Sequence, residues 1–127
     1  MREFIGLVNR IRRDNPALQA NENLRFHPID NEQLIAYSKR SIDGSNVVLA
    51  VVNRSPHHVH SGWVDLDLDA LGLEADHPFQ VHDLLTTAHY LWHGQKNYVR
   101  IDPHSVPVQI FAVQRHMRRE QDFDSFM

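Results

Sequence analysis

Histidine dominates the chemistry on offer: ten stand among 127 residues, and three fall within Pro56-His57-His58-Val59-His60. In an extended segment His58 and His60 share a face, and an imidazole pair at that spacing can hold a divalent metal. A carboxylate follows at Asp65, but no second motif supplies a further histidine in order. The competing reading is a solvated loop that happens to be rich in histidine. Asp65, Asp67 and Asp69 recur at alternate positions, so a strand would set Asp65 and Asp67 on one face, at a separation a glycosidase pair tolerates. Such a pair needs one acid buried enough to raise its pKa. Nothing in the local sequence does that, and a wet strand face accounts for the pattern.

Trp63, Tyr90, Trp92 and Tyr98 could stack on sugar, because a pyranose lays its C–H face on an aromatic plane. Tyr90 and Trp92 share a strand face, and Trp63, Tyr90 and Trp92 are the candidate carbohydrate-binding residues. Burial in a core, where large aromatic area is removed from water, is the alternative for each tryptophan. No serine sits in a G-x-S-x-G elbow and no glycine-rich phosphate loop is present. No catalytic constellation survives, and no cofactor is expected.

These residues must be positioned by strands, and the strand at the centre is Val47-Val48-Leu49-Ala50-Val51-Val52. This unbroken apolar run is bounded by Asp43-Gly44 and by Asn53 to Pro56. Alternation sends Val47, Leu49 and Val51 one way and Val48, Ala50 and Val52 the other, so both faces need cover. Gln33–Lys39 alternates before it and forms a hairpin with it, glycine accepting the positive φ of the turn. Strands are expected also at Trp63–Leu68, Phe79–Leu85, Tyr90–His93, Tyr98–Asp102 and Val108–Arg115, with an aspartate-capped turn at Asp69-Ala70-Leu71-Gly72. Ala17–Asn31 reads as an irregular connection. About seven short strands without crossover helices predict a mainly β fold, an antiparallel β-sandwich. One amphipathic helix precedes it over residues 1–15. There Phe4, Leu7, Val8 and Ile11 make a single apolar stripe, and Asn15-Pro16 stops the helix. That stripe is the candidate interface with a partner.

The bulk numbers narrow the classes. A chain of this length is one domain with a core of its own. It has no cysteine, hence no disulfide framework and no thiolate site, which fits a reducing cytoplasm. A formal charge of −3 lacks the basic excess of a nucleic-acid-binding domain. No apolar run approaches the ~18 residues that cross a bilayer. MREFIGLVNRIRR has neither an uninterrupted apolar core nor a small-residue cleavage site, so no signal peptide is expected.

Taken together, several stretches resemble a known family. Arg2-Glu3-Phe4-Ile5, Val8 to Arg13 and Asn15 to Gln19 look like the last barrel helix and exit of an α-amylase-superfamily enzyme (glycoside hydrolase family 13). Leu24-Arg25-Phe26-His27, Asp30 to Lys39, Ser45 to Leu49, Gly62-Trp63-Val64, Val81 to Thr86, Asn97-Tyr98-Val99 and Gln121 to Phe126 are similar to the C-terminal β-domain of bacterial α-1,4-glucan:maltose-1-phosphate maltosyltransferases. The resemblance covers essentially the whole chain. It implies residues 1–20 as barrel helix and linker, 21–115 as the β-domain, and 116–127 as a charged tail with a docking turn.

The family transfers maltosyl units to α-1,4-glucans, with retention, through two barrel carboxylates that lie upstream of everything present here. No catalytic residue carries over. The resemblance therefore implies a non-catalytic structural domain of glycogen metabolism. Its partner would be the catalytic (β/α)8 barrel, or a second copy through the helix stripe. A glucan-binding module and a small histidine-rich metalloprotein are the alternatives.

Overall fold

The computed structural model describes residues 2–19 and 24–114, without the side chains of residues 2–5 and 8. The expected tail turn lies outside the described residues. The elements are α1 (Arg2–Asp14), a 3-10 turn (Pro16–Gln19), β1 (Arg25–His27), β2 (Leu34–Arg40), β3 (Val47–Asn53), β4 (His60–Asp65), β5 (Phe79–Asp83), β6 (His89–Trp92), β7 (Lys96–Ile101) and β8 (Val108–Gln114). Six strands form one antiparallel sheet in the order β1-β2-β3-β8-β5-β6, and β4 pairs with β7 in a second. The result is an antiparallel β-sandwich with one N-terminal helix.

Val47, Leu49 and Val51 of β3 point into the sandwich, where they meet Phe111 and Val113 of β8 and Val64 and Ile101 of the small sheet. A buried asparagine ties the two sheets across this core. Asn53 Nδ2 donates to the carbonyls of His58 (3.0 Å) and Ile101 (2.9 Å), and its Oδ1 accepts the Ser55 N–H. A buried amide is tolerated here because its hydrogen-bonding groups are matched.

The β2–β3 hairpin forms as its sequence dictates, with Gly44 at φ +77°. The Asp43 carboxylate organises that turn and is held down to about 2, first by the Ser45 N–H and then by the hydroxyls of Ser41 and Ser45. Proline ends α1 where expected. Gln19 Nε2 donates to the carbonyls of Arg12 and Arg13, which the helix leaves without intrahelical donors. Asn46, the residue before β3, then clamps the exit. Its Oδ1 accepts the Ala17 N–H, and its Nδ2 donates to Asn15 Oδ1.

Three expectations need correction. Phe26 lies not in an irregular connection but in β1, opposite Tyr37; a three-residue edge strand is too short to show a period. The strand read as Trp63–Leu68 starts earlier, at His60, and ends at Asp65; Leu66 stays buried, but its N–H bonds the Gln95 carbonyl outside the ladder. The following turn is capped by Asp67 Oδ1 on the Ala70 N–H rather than by Asp69.

Candidate functional site

The first candidate surface is the outer face of the large sheet. Val48 and Ala50 on it are buried, with the 3-10 turn lying against β2 and β3 and Ala17 fully enclosed. Beyond the turn the cover stops. A groove of about 630 Å³ runs between the end of α1 and the sheet, lined by Ile11, Leu24, Phe26, Ile35, Val52 and Ile110 among others. Leu24 is 47 % and Phe26 66 % exposed beside it. Of the helix stripe, Ile11 is buried at the groove and Leu7 half-buried; the Phe4 and Val8 side chains lie outside the described residues.

The second is the outer face of the small sheet. Trp63 and Tyr98 stand opposite each other in the β4–β7 register, ring centroids 5.5 Å apart at 62°, and are 50 % and 49 % exposed. Ser61 and Arg100 flank the pair on one side and Asp65 and Lys96 on the other. The three candidate aromatics are dispersed over the two sheets. Trp92 is only 9 % exposed and packs edge-on against Phe79 and Phe111 in the core. Tyr90, on the same face of β6, reaches the core rim with its edge on Phe111. Trp63 on β4 and Tyr90 on β6 are the exposed candidates, on different sheets, and the neighbour of Trp63 is Tyr98, which strand spacing alone does not pair with it.

The polar candidates are dispersed as well. His58 is exposed, and His60 opens β4 with Nδ1 3.1 Å from Asn31 Nδ2. Among the described residues no three His, Cys, Asp or Glu side chains are grouped to hold a metal. The histidines that do meet are His82 and His89, stacked at 4.1 Å across the β5–β6 register. Asp65, Asp67 and Asp69 line a shallow depression of about 470 Å³. There Asp65 accepts from Gln95 Nε2 at 2.8 Å, and Asp67 lies 3.5 Å from Arg25.

The buried ionisable side chains among the described residues are His27 and Asp83, and each is engaged locally. His27 shares a 2.8 Å hydrogen bond with Ser38, and burial, with the nearby Arg25 charge, lowers its pKa. Asp83 Oδ1 accepts the N–H groups of Leu85 and Thr86, fixing the β5–β6 loop, where Thr87 takes φ +68°. Neither adjoins a second buried ionisable group.

Residues 26–113 match the family model described as GLGE, C-terminal. The chain belongs to the GLGE C-terminal family. Proteins similar to this GLGE C-terminal domain include the α-1,4-glucan:maltose-1-phosphate maltosyltransferase of Corynebacterium glutamicum, 46 % identical over 89 % of the chain and 17 % of the relative. A second is maltosyltransferase 2 of Streptomyces coelicolor, 48 % identical over 88 % of the chain and 16 % of the relative. A third is the enzyme of Salinibacter ruber, 40 % identical over 95 % of the chain and 18 % of the relative. The domain therefore spans about a sixth of the length of these curated relatives. Among solved structures, a family 27 β-L-arabinopyranosidase from Geobacillus stearothermophilus superposes with a TM-score of 0.52. It does so over 80 % of this chain and 22 % of its own, at 14 % identity, a likeness of fold. No helix among the described residues is long and apolar enough to cross a membrane.

Proposed function

We propose that this chain serves as the non-catalytic C-terminal domain of a larger cytoplasmic maltosyltransferase of α-glucan metabolism, supporting the part of the enzyme that performs the transfer. The observation that carries this reading is the alignment itself: relatives named as maltosyltransferases match across most of this chain while extending about six times its length. The groove beside α1 supports it. An apolar surface rimmed by a helix and left half-covered favours a protein partner, since contiguous exposed apolar area is uncommon on a domain that works alone. Among the described residues no two carboxylates are paired in a buried setting, the arrangement that would form a glycosyl intermediate.

Two measurements test this. Incubated with maltose 1-phosphate and glycogen, the isolated chain is expected to release no phosphate above background; release would refute the non-catalytic reading. For the supporting role, the Corynebacterium glutamicum relative is expressed without the matched stretch and supplied with this chain in trans. Soluble activity is expected to return, and the Phe26→Ser/Ile110→Asp double variant is expected to abolish the rescue. Equal rescue by the variant would remove the groove from the interface.

A further inference from the structure

The Trp63–Tyr98 face differs in kind from the groove. Its aromatic centre is small, strand-borne and held from behind. Asp30 Oδ1 accepts the Trp63 N–H at 2.7 Å, and Asn31 Nδ2 donates to the Ser61 carbonyl at 3.0 Å. Gly62 allows this clamp, because a Cβ there would stand 2.7 Å from the same Asp30 oxygen and 3.3 Å from Ile29. The backbone that carries Trp63 is thereby fixed before any ligand arrives, which lowers the ordering cost of binding. Tyr98, tilted at 62°, stands against the indole, which keeps half of its surface open.

The surroundings select the ligand. An open indole face takes a flat apolar surface, while Ser61 and Arg100 at one end and Asp65, Gln95 and Lys96 at the other offer donors and acceptors. Carboxylates of Asp30 and Asp65 balance the charges of Arg100 and Lys96, so no excess of one sign favours a phosphate ester or nucleic acid. A dry protein interface would have to desolvate all four charges. A chain of pyranoses does not. Its C–H faces stack, its hydroxyls reach the flanking groups, and its outer edge stays wet. We infer that the Trp63–Tyr98 face is a binding site for neutral pyranose chains, of the α-1,4-glucan class. The choice of linkage rests on the functional reading above; the site itself does not.

Titration calorimetry of the full chain with maltoheptaose tests the inference. Saturable binding at millimolar concentration is expected. Trp63→Ala should abolish it and Tyr98→Ala weaken it about tenfold, with the thermal transition of each variant confirming the fold. If Trp63→Ala does not fold, Tyr98→Ala decides. Absence of binding by the wild-type chain, or binding that neither variant changes, overturns the site. Cellohexaose, the β-linked counterpart, is expected to bind at least tenfold more weakly; equal affinity overturns the α-glucan assignment. Phosphate release is read separately, so a failure of the non-catalytic reading is distinguishable from a failure of the site.

Discussion

The outer faces of the two sheets show how one alternating backbone makes two unlike surfaces. On the large sheet, β3 is apolar on both sides, and the excess face is covered by the 3-10 turn for half its length and left as a groove for the rest. On the small sheet, β4 and β7 are apolar only inward. Their outward positions carry one aromatic pair set among hydroxyl, amide and charged groups. A surface with few hydrogen-bonding groups suits a partner that is itself apolar. One with polar groups around an aromatic centre suits a ligand that brings its own hydroxyls. The difference lies in what flanks the hydrophobic residues, more than in how many there are.

The comparison can be broken outright by removing what both faces share. Phe111→Ala empties the centre of the common core and should lower stability by about 3–5 kcal/mol, read as a fall in the urea midpoint. Asn53→Ala should cost about 2–3 kcal/mol, because the His58 and Ile101 carbonyls lose their donor and the sheets lose their polar tie. An unchanged midpoint would mean that water replaces the amide at no cost.

Gly62→Ala sharpens the comparison by striking one face alone. The added methyl meets Asp30 Oδ1, so about 1–3 kcal/mol of stability should be lost. Tryptophan emission should shift as Trp63 moves, while the groove stays intact. Phe26→Ser should change stability by no more than about 0.5 kcal/mol, since the ring is largely exposed, yet should weaken the association with a catalytic part that the proposed function requires.

The smallest expected effect is a slope. His27 has its pKa lowered by burial in the fold, so below about pH 6.5 the unfolded chain takes up the proton first, and stability falls as pH falls through that range. His27→Gln should flatten this dependence of the urea midpoint between pH 7 and 5, and an unaltered slope would assign it to other groups.

Much of the fold was legible in local sequence. The two-sided apolar run at 47–52 announced a central strand, and Asp43-Gly44 announced its hairpin. Asn15-Pro16 marked the helix end, since proline's restriction acts on the adjacent residue alone. The candidate site was legible only in part. Trp63 could be named as a candidate, but whether it or Trp92 stood in the core, and that Tyr98 would lie opposite it, could not be judged from spacing. Period-two alternation assigns a residue to a face and says nothing about which sheet, or which layer, owns that face.

What the chain order determined by itself was therefore every strand but the short β1, their inward positions and the excess of apolar surface on β3, all consequences of short-range sterics and side-chain alternation. Tertiary structure decided the rest. It separated β4 and β7 into their own sheet, buried Trp92 and left Trp63 in solvent beside Tyr98, and brought Asp30 and Asn31 up behind Gly62. Those outcomes depend on contacts between residues thirteen or more positions apart along the chain, and local preference carries no information about which distant segment arrives.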